Sequence, residues 1–374
     1  VPSAIVAGAG IAGLTAALAL ARRGWTVRIH ERAARLETVG AGIQLSPNAL
    51  DVLDRLGVAV GNVGVSADSV LLRDGPTGRR IASVPVSSSD GRGYRVLHRA
   101  ALQRVLLDAV EAVPAVSLHL GQPLVALSGE PTRVRAEFAG PIQDEAELLV
   151  AADGVRSETA RLLGFPPPKA AGATALRFAA TADPPTAAIE AWLGSRRHAV
   201  RYRIDAAGAQ NLVVIVPDGD PTLGPVARWD PRLVSCLAEG RPLGSWPLLE
   251  VEPRWRAGSA LPVAFVGDAA HAMLPYAAQG AAMAIEDAFV LAACLAGAGD
   301  RGAALERYEA LRAPRLRRVL SRVAFHRRVY HLPRPLSYAR DLALAARSPA
   351  SLRRDLAWLY DWRAQDGAQP GGLV

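Results

Sequence analysis

Three groups of residues in this 374-residue chain have types and spacings that could do chemistry. The first is Gly8-x-Gly10-x-x-Gly13, with Glu31 further on. Its glycines suit a tight turn, close approach of a pyrophosphate to the backbone, and close packing of a helix on a strand; Glu31 can accept from ribose hydroxyls. The second is the apolar segment 264–293, which carries Asp268, His271 and Gln279 among many Ala and Gly. Buried polar side chains cost free energy unless paired, so these three need partners or a ligand. The third is His198 and Tyr202. Four apart on a strand, they face one side. A histidine titrates near neutral pH and can serve as a general base.

These groups need elements to position them. Residues 3–8 read as a strand, 11–23 as a helix ended by Gly24, and 25–31 as a second strand. Strand, Gly-rich turn, helix and strand make a βαβ unit that binds a dinucleotide, without choosing between NAD and FAD. Further along, 97–110 is an amphipathic helix, and 117–120, 147–154 and 263–268 are strands. The alternating region 174–220, with turn signals at 205–208 and 217–220, predicts an antiparallel sheet. Residues 278–296 and 303–329 are helical, the latter with a kink or break at Pro314. A Pro-rich stretch, 331–337, precedes a last helix over 338–360 and a loose Gly-rich end. The fold class is α/β: a Rossmann-type domain interrupted by an antiparallel-sheet domain, with a C-terminal helical segment. The expected boundaries are 1–72, 91–165 and 255–300 for the nucleotide domain, 73–90 and 166–254 for the substrate domain, and 301–374 for the helical region.

Composition narrows the function. Net charge is +8, but fifteen arginines and five acids fall within 301–363, and the chain has one lysine, Lys169. The basic tail reads as a solvated helical face, with attraction of acidic substrates as the alternative. No interleaved aromatic pattern supports nucleic-acid binding. No apolar run reaches the ~18–20 residues of a membrane span. The first residues read as a strand entering a turn, not as a secretory leader. Two cysteines, Cys236 and Cys294, make neither a disulfide framework nor a metal cluster, so no metal and a cytoplasmic setting are expected.

After the first motif come Asp153-Gly154-x-x-Ser157 and then Gly267-Asp268-Ala269-Ala270-His271 with Pro275-x-x-x-Gln279-Gly280. This order resembles the FAD-dependent aromatic hydroxylases, the single-component, p-hydroxybenzoate-hydroxylase-like flavoprotein monooxygenases. Residues 275–288 and 192–204 are most similar to the salicylate, 3-hydroxybenzoate and 6-hydroxynicotinate monooxygenase branch. The resemblance implies FAD, with NADH or NADPH and O₂ as co-substrates. It implies hydroxylation of a phenolic or hydroxy-carboxylate aromatic through an electrophilic C4a-hydroperoxyflavin, and it allows a homodimer. Carried over by motif, Gly8, Gly10, Gly13, Glu31 and Arg32 bind the ADP half, and Gly42 lies in a further matching stretch, 40–57. Arg99 reaches the cofactor, and Leu124 lies beside the adenine. Asp153, with Gly154, serves FAD and the nicotinamide nucleotide. Asp268 holds the ribityl and pyrophosphate region, and Gly280 and Ala281 lie near the isoalloxazine.

Catalytic roles are implied in the same way. His198 is the candidate base, Tyr202 its partner or a substrate anchor, and Tyr276 a substrate contact. Ser46 and Asn48 are expected on the flavin's other side, His271 in a structural role, and Glu286 and Asp287 ordering their helix. One departure stands out. Arg201 occupies a position where relatives often carry a second histidine. A guanidinium there would lower the His198 pKa and could bind a carboxylate. Other readings stay open: the same flavin chemistry on a non-benzenoid natural product, a plain NAD(P)-dependent dehydrogenase, or a basic interaction protein acting through 301–363.

Overall fold

A computed structural model describes residues 1–36, 41–181, 187–220, 222–258 and 260–364. The Gly-rich end expected to be loose, beyond 364, lies outside the described residues, as does Gly40. Five short apolar runs form a parallel sheet in the order Val263–Phe265, Leu148–Ala151, Ser3–Ala7, Thr26–His30, Val116–His119. Leu148–Ala151 is buried throughout, as a strand covered on both faces requires. The helices Ile11–Ala21 and Gly280–Leu295 are rich in Ala and pack on each other.

The expected antiparallel sheet exists and is larger than the sequence suggests. Its seven strands run in the order Arg241–Glu250, Lys169–Ala180, Gln210–Pro217, Arg197–Arg203, Ile189–Gly194, Ser69–Asp74, Arg80–Pro85. Only the Ile189–Gly194 and Ser69–Asp74 pair is parallel. Strand alternation gives the sheet two faces. Ala199, Leu212 and Val214 pack with Leu233 and Cys236 of helix Pro231–Glu239. His198, Val200 and Tyr202 lie on the opposite face with their register partners Ile215, Val213 and Asn211.

Several expectations need correction. Leu97 and His98 end a strand, Tyr94–His98, and the helix begins at Arg99. That strand pairs with Gly42–Leu45 and Val65–Ala67 in a small sheet, and Leu124–Glu130, Arg133–Phe138 and Ile142–Ala146 form another. Neither sheet is among the expectations: the strands of the first are only three to five residues long, too short for a period of two to show, whereas Arg133–Phe138 in the second does alternate polar and apolar residues and is legible as a strand. Pro314 does not break its helix, which runs unbroken from Arg301 to Tyr330. The last helix is three pieces, Leu336–Ala345, Pro349–Arg354 and Ala357–Tyr360. Ser348 caps the second of these by accepting from the Ser351 N–H, with Pro349 in its first turn.

The long helix survives its proline because buried charges pin it on both sides. Arg312 donates to Glu286 and Asp287 at 2.7 and 2.8 Å, and Arg315 donates to both oxygens of Glu286 at 2.7 Å. Neither carboxylate is exposed to solvent at all. Tyr308 adds a bond to the Phe265 carbonyl at 2.9 Å. The basic tail is therefore not simply a solvated face, since Arg312, Arg315 and Arg340 are all buried. Replacing Arg312 by Ala leaves two buried carboxylates short of a counter-charge. The expected loss is about 3–5 kcal/mol, read as a lower urea midpoint. An unchanged midpoint would refute the stabilising role of the cluster.

Candidate active site

The first motif builds one wall of a cleft. Gly8 turns at a φ of +102°, beside the Ala152 carbonyl that precedes Asp153. A Cβ on Gly13 would sit 1.9 Å from the Gly8 oxygen, so only glycine lets the helix lie this close to the strand. A Cβ on Gly10 would meet nothing within 4 Å, so that backbone faces open space. No side chain caps the helix that Gly10 starts, and its free N–H groups carry the positive end of the helix dipole. Glu31 spans the turn, accepting from the Ala9 N–H at 2.8 Å and the Ala33 N–H at 2.9 Å. Gln103, one turn beyond Arg99, donates to the Ala9 carbonyl at 2.8 Å. The segment leading to Leu124 runs beside Glu31 through a bond from Gln122 N–H to the Glu31 carbonyl. Arg32 is exposed nearby.

Asp268 stands on the opposite wall, opening the short helix Asp268–His271 after Gly267, whose φ is +61°. Its carboxylate makes no hydrogen bond among the described residues. Solvent reaches it, yet protein surrounds it enough that burial pushes its carboxyl above the usual range, with His271 and Arg99 pulling the other way. Asp153 gives one oxygen to Thr159, at 2.9 Å from both its N–H and its hydroxyl, and its other oxygen is buried without a partner. The helix Gly280–Leu295 also begins without a side-chain cap, with Gly280 open to space and Ala281 in its first turn. Ala278 holds a left-handed φ of +52° just ahead of it. Two uncapped helix starts, an open Gly10, a carboxylate and an exposed arginine make a cradle for a long molecule with a phosphate middle and a polar ring edge. FAD fits these donors and this charge pattern.

Other expected residues make their contacts within the protein. Gln279 is buried and turned inward, with Ser46, Asn48 and Tyr94 at 3.2–3.4 Å. Ser46 and Asn48 are fully buried, so they do not line an open cleft; Asn48 instead donates to Glu286 at 2.7 Å. His271 lies 2.5 Å from Asp287, in the structural role expected of it. Gly42 donates its N–H to Asn211 at 2.9 Å, and a Cβ there would meet Asn211, Ile204 and Tyr202 within 2.8 Å. It is one point where the sheet that holds Gly42–Leu45 touches the large one.

The candidate catalytic residues gather where the large sheet meets the Pro275–Ala277 turn. The His198 and Tyr276 rings are 5.0 Å apart, both buried, and the Tyr276 hydroxyl has no partner. Burial pushes that hydroxyl up to about 12. Tyr202, on the same face as His198, hydrogen-bonds Gln44 and sits near Arg177. His198 has a pKa well below the ordinary value, through burial first and His331 second. Arg201 has no part in this. It lies on the other face, buried, paired with Glu190, which also takes Arg73, and its guanidinium lies over the Trp192 ring. The expected effect of Arg201 on His198, and its use for a carboxylate, are therefore withdrawn: strand alternation sends neighbouring side chains to opposite faces.

Three residues that no sequence motif marks belong here. His331, from beyond the long helix, has Nε2 2.9 Å from His198 Nδ1. Tyr330 meets the His198 ring edge-on at 5.7 Å. Arg177, two strands away, lies over Trp246 at 4.8 Å and has a buried Nε without a hydrogen bond. Open depressions on the surface, one beside Val1 and Trp25 and one beside Arg80 and Pro349, touch none of these residues.

Fold and site together define a flavin-dependent monooxygenase of the aromatic hydroxylase type, and comparison with known proteins agrees. A family model described as "FAD binding domain" matches residues 2–224 and 250–323, and the chain belongs to that family. It is 33% identical to 3-hydroxybenzoate 6-hydroxylase 1 of Aquipseudomonas alcaligenes, over 95% of this chain and 96% of that one. It is 34% identical to 3-amino-4-hydroxybenzoate 2-monooxygenase of Streptomyces cremeus, over 95% and 94%. A crystal structure of a Klebsiella pneumoniae HpxO variant complexed with FAD superposes with a TM-score of 0.84 at 25% identity, over 95% of this chain and 97% of that one.

Two of the three motif glycines, Gly10 and Gly13, separate folding from cofactor binding. Gly13→Ala should cost the apoprotein about 1–3 kcal/mol by overpacking. Gly10→Ala should cost the apoprotein less, at most about 1 kcal/mol for the lost N-cap glycine, while weakening FAD by roughly tenfold, about 1.4 kcal/mol. Thermal melts and flavin titration of the two variants check this; equal melting temperatures would contradict it.

Proposed function

We propose that this enzyme uses NADH or NADPH and O₂ to hydroxylate a small phenolic acid, with His198 as the base that takes the phenol proton. The observation that carries this reading is the position of His198. It is buried on the sheet face that also bears Tyr202, with the Tyr276 ring against it. A phenol is most nucleophilic at its ortho and para carbons as the phenolate, so a base beside its hydroxyl favours attack on an electrophilic oxygen. Bound FAD supplies hydride acceptance and oxygen activation. The chain's own residues hold the ring, remove its proton and exclude water.

The reading extends to the rest of the molecule. The segment before Ser69, with 91–165 and 255–300, holds the cofactor, and 166–254 with the hairpin Ser69–Pro85 holds the substrate; the expected boundary at 72 is moved because it would cut the strand Ser69–Asp74, which belongs to the large sheet. Among the described residues no helix is long and apolar enough to cross a membrane, and no group of side chains is arranged to hold a metal ion. Both cysteines are buried and unpaired, which agrees with a reducing, cytoplasmic setting.

Arg177 supports a carboxylate on the substrate. It makes no ion pair or hydrogen bond among the described residues, and burial lowers its pKa. An anion beside it would relieve an unpaired, half-buried charge and could bind in a bidentate manner. Relatives named for hydroxybenzoates agree with such a substrate.

The flavin-loaded protein should oxidise NADH or NADPH faster when the right phenolic acid is added and should yield a hydroxylated product by mass spectrometry. No stimulation across a panel of hydroxybenzoates and hydroxynicotinates would overturn the substrate class. His198→Ala should lower the hydroxylation rate by ~10²–10⁴-fold. A base works unprotonated, and the His198 pKa is depressed, so the wild-type rate should not fall on the acid side until well below pH 6.5. A limb at or above that value would point to another base. Arg177→Met should raise KM roughly tenfold or more for a carboxylated phenol and leave the KM of the parent phenol alone.

A further inference from the structure

The mechanism so far leaves His331 without a task. This residue is the C-cap of the helix Arg301–Tyr330 and is only partly buried, whereas His198 is buried to 3% exposure. Their rings are 5.1 Å apart, with His198 Nδ1 and His331 Nε2 separated by 2.9 Å. Neither ring makes another hydrogen bond among the described residues. The pair is held from several sides. The His331 carbonyl accepts from the Arg196 N–H, two residues before His198. Tyr276 and Tyr330 close on the His198 ring, and His326 donates to the Tyr276 carbonyl at 3.0 Å.

One hydrogen bond between two imidazoles needs one donor and one acceptor. If His198 is the base, which is the reading this inference rests on, its free nitrogen Nε2 must carry the lone pair. Nδ1 then bears the hydrogen and donates to His331 Nε2. We infer that His331 is a positioning residue that fixes the tautomer of His198 and carries the substrate's proton out to solvent. The phenol O–H bond breaks and its proton bonds to His198 Nε2. The His198 Nδ1–H bond breaks and that proton bonds to His331 Nε2. The His331 Nδ1–H proton passes to a surface water. The phenol becomes phenolate, the water becomes hydronium, no electrons change hands, and both rings end neutral in the opposite tautomer. The reverse sequence, when the product's oxygen is reprotonated, resets them. Passage of charge through His331 is eased by the carbonyl end of a 30-residue helix and opposed by Arg327 on its last turn.

Histidine-¹⁵N spectra of the FAD-loaded enzyme read the tautomers directly. His198 should be the Nδ1–H form in the wild type and should lose that preference in His331→Leu. His331→Gln, whose amide oxygen can accept from Nδ1 but cannot relay, should keep the tautomer. Both variants should hydroxylate 3-hydroxybenzoate, the probe, at least ~10-fold more slowly, and added imidazole should restore the rate of His331→Leu. Matching FAD content and melting temperature guard against misfolding. The relay is overturned if wild-type His198 is the Nε2–H form, or if His331→Leu turns over at the wild-type rate or resists imidazole. His198→Ala separates the two readings. If it is slow while His331→Leu is not, only the relay fails; if it is as fast as wild type, the base assignment fails and takes the relay with it.

Discussion

Two carboxylates and two guanidiniums, all shut away from water, anchor the turn that presents Asp268 and the helix start that faces the flavin's place. Charges taken out of water are expensive to hold unless their attraction and hydrogen bonds are complete, and here Glu286 and Asp287 are met by Arg312 and Arg315. The geometry then propagates. Asp287 also accepts from the Gly267 N–H at 3.1 Å, which fixes the turn that presents Asp268. Glu286 takes Asn48, and Asn48 sits at Gln279. Because the Gln279 side chain is drawn inward, it does not cap its own helix, and the first N–H groups stay open toward the flavin's place.

Charges on the cleft wall are treated in the opposite way. Asp268, Arg99 and Arg177 have no ion-pair partners among the described residues, while the cluster behind them is fully paired. Polar groups kept unpaired at a surface that a ligand will cover are ready to pair with that ligand without first breaking an internal bond. The C-terminal helices join both arrangements. Arg312 and Arg315 come from one long helix, and its last turn brings Tyr330 and His331 to His198. A region whose composition suggests a solvated basic face turns out to complete the core and border the site.

Part of this architecture is legible in the order of residues alone. The turn at Gly8–Gly13 and its βαβ setting depend on contacts within about thirty residues, so local spacing carries the information. Asp268 and Gly280 stand out because a polar residue at a strand end and a glycine at a helix start are local signals. Other features are not legible in this way. Arg201 is expected to lower the His198 pKa because it is three residues away, but one strand sends the two to opposite faces. His331 lies 133 positions from His198. Pro314 reads as a break, and only the buried charges on either side explain an unbroken helix.

By itself the sequence determined the cofactor cradle and the two kinds of sheet, because glycine turns, apolar runs and strand alternation act over short distances where residue type decides conformation. The tertiary structure alone decided which charges are buried as pairs and which are left open. It also decided which side chain reaches His198. Those choices depend on the packing of segments far apart in the chain, where desolvation and the crossing of strands and helices, not spacing, set what can meet.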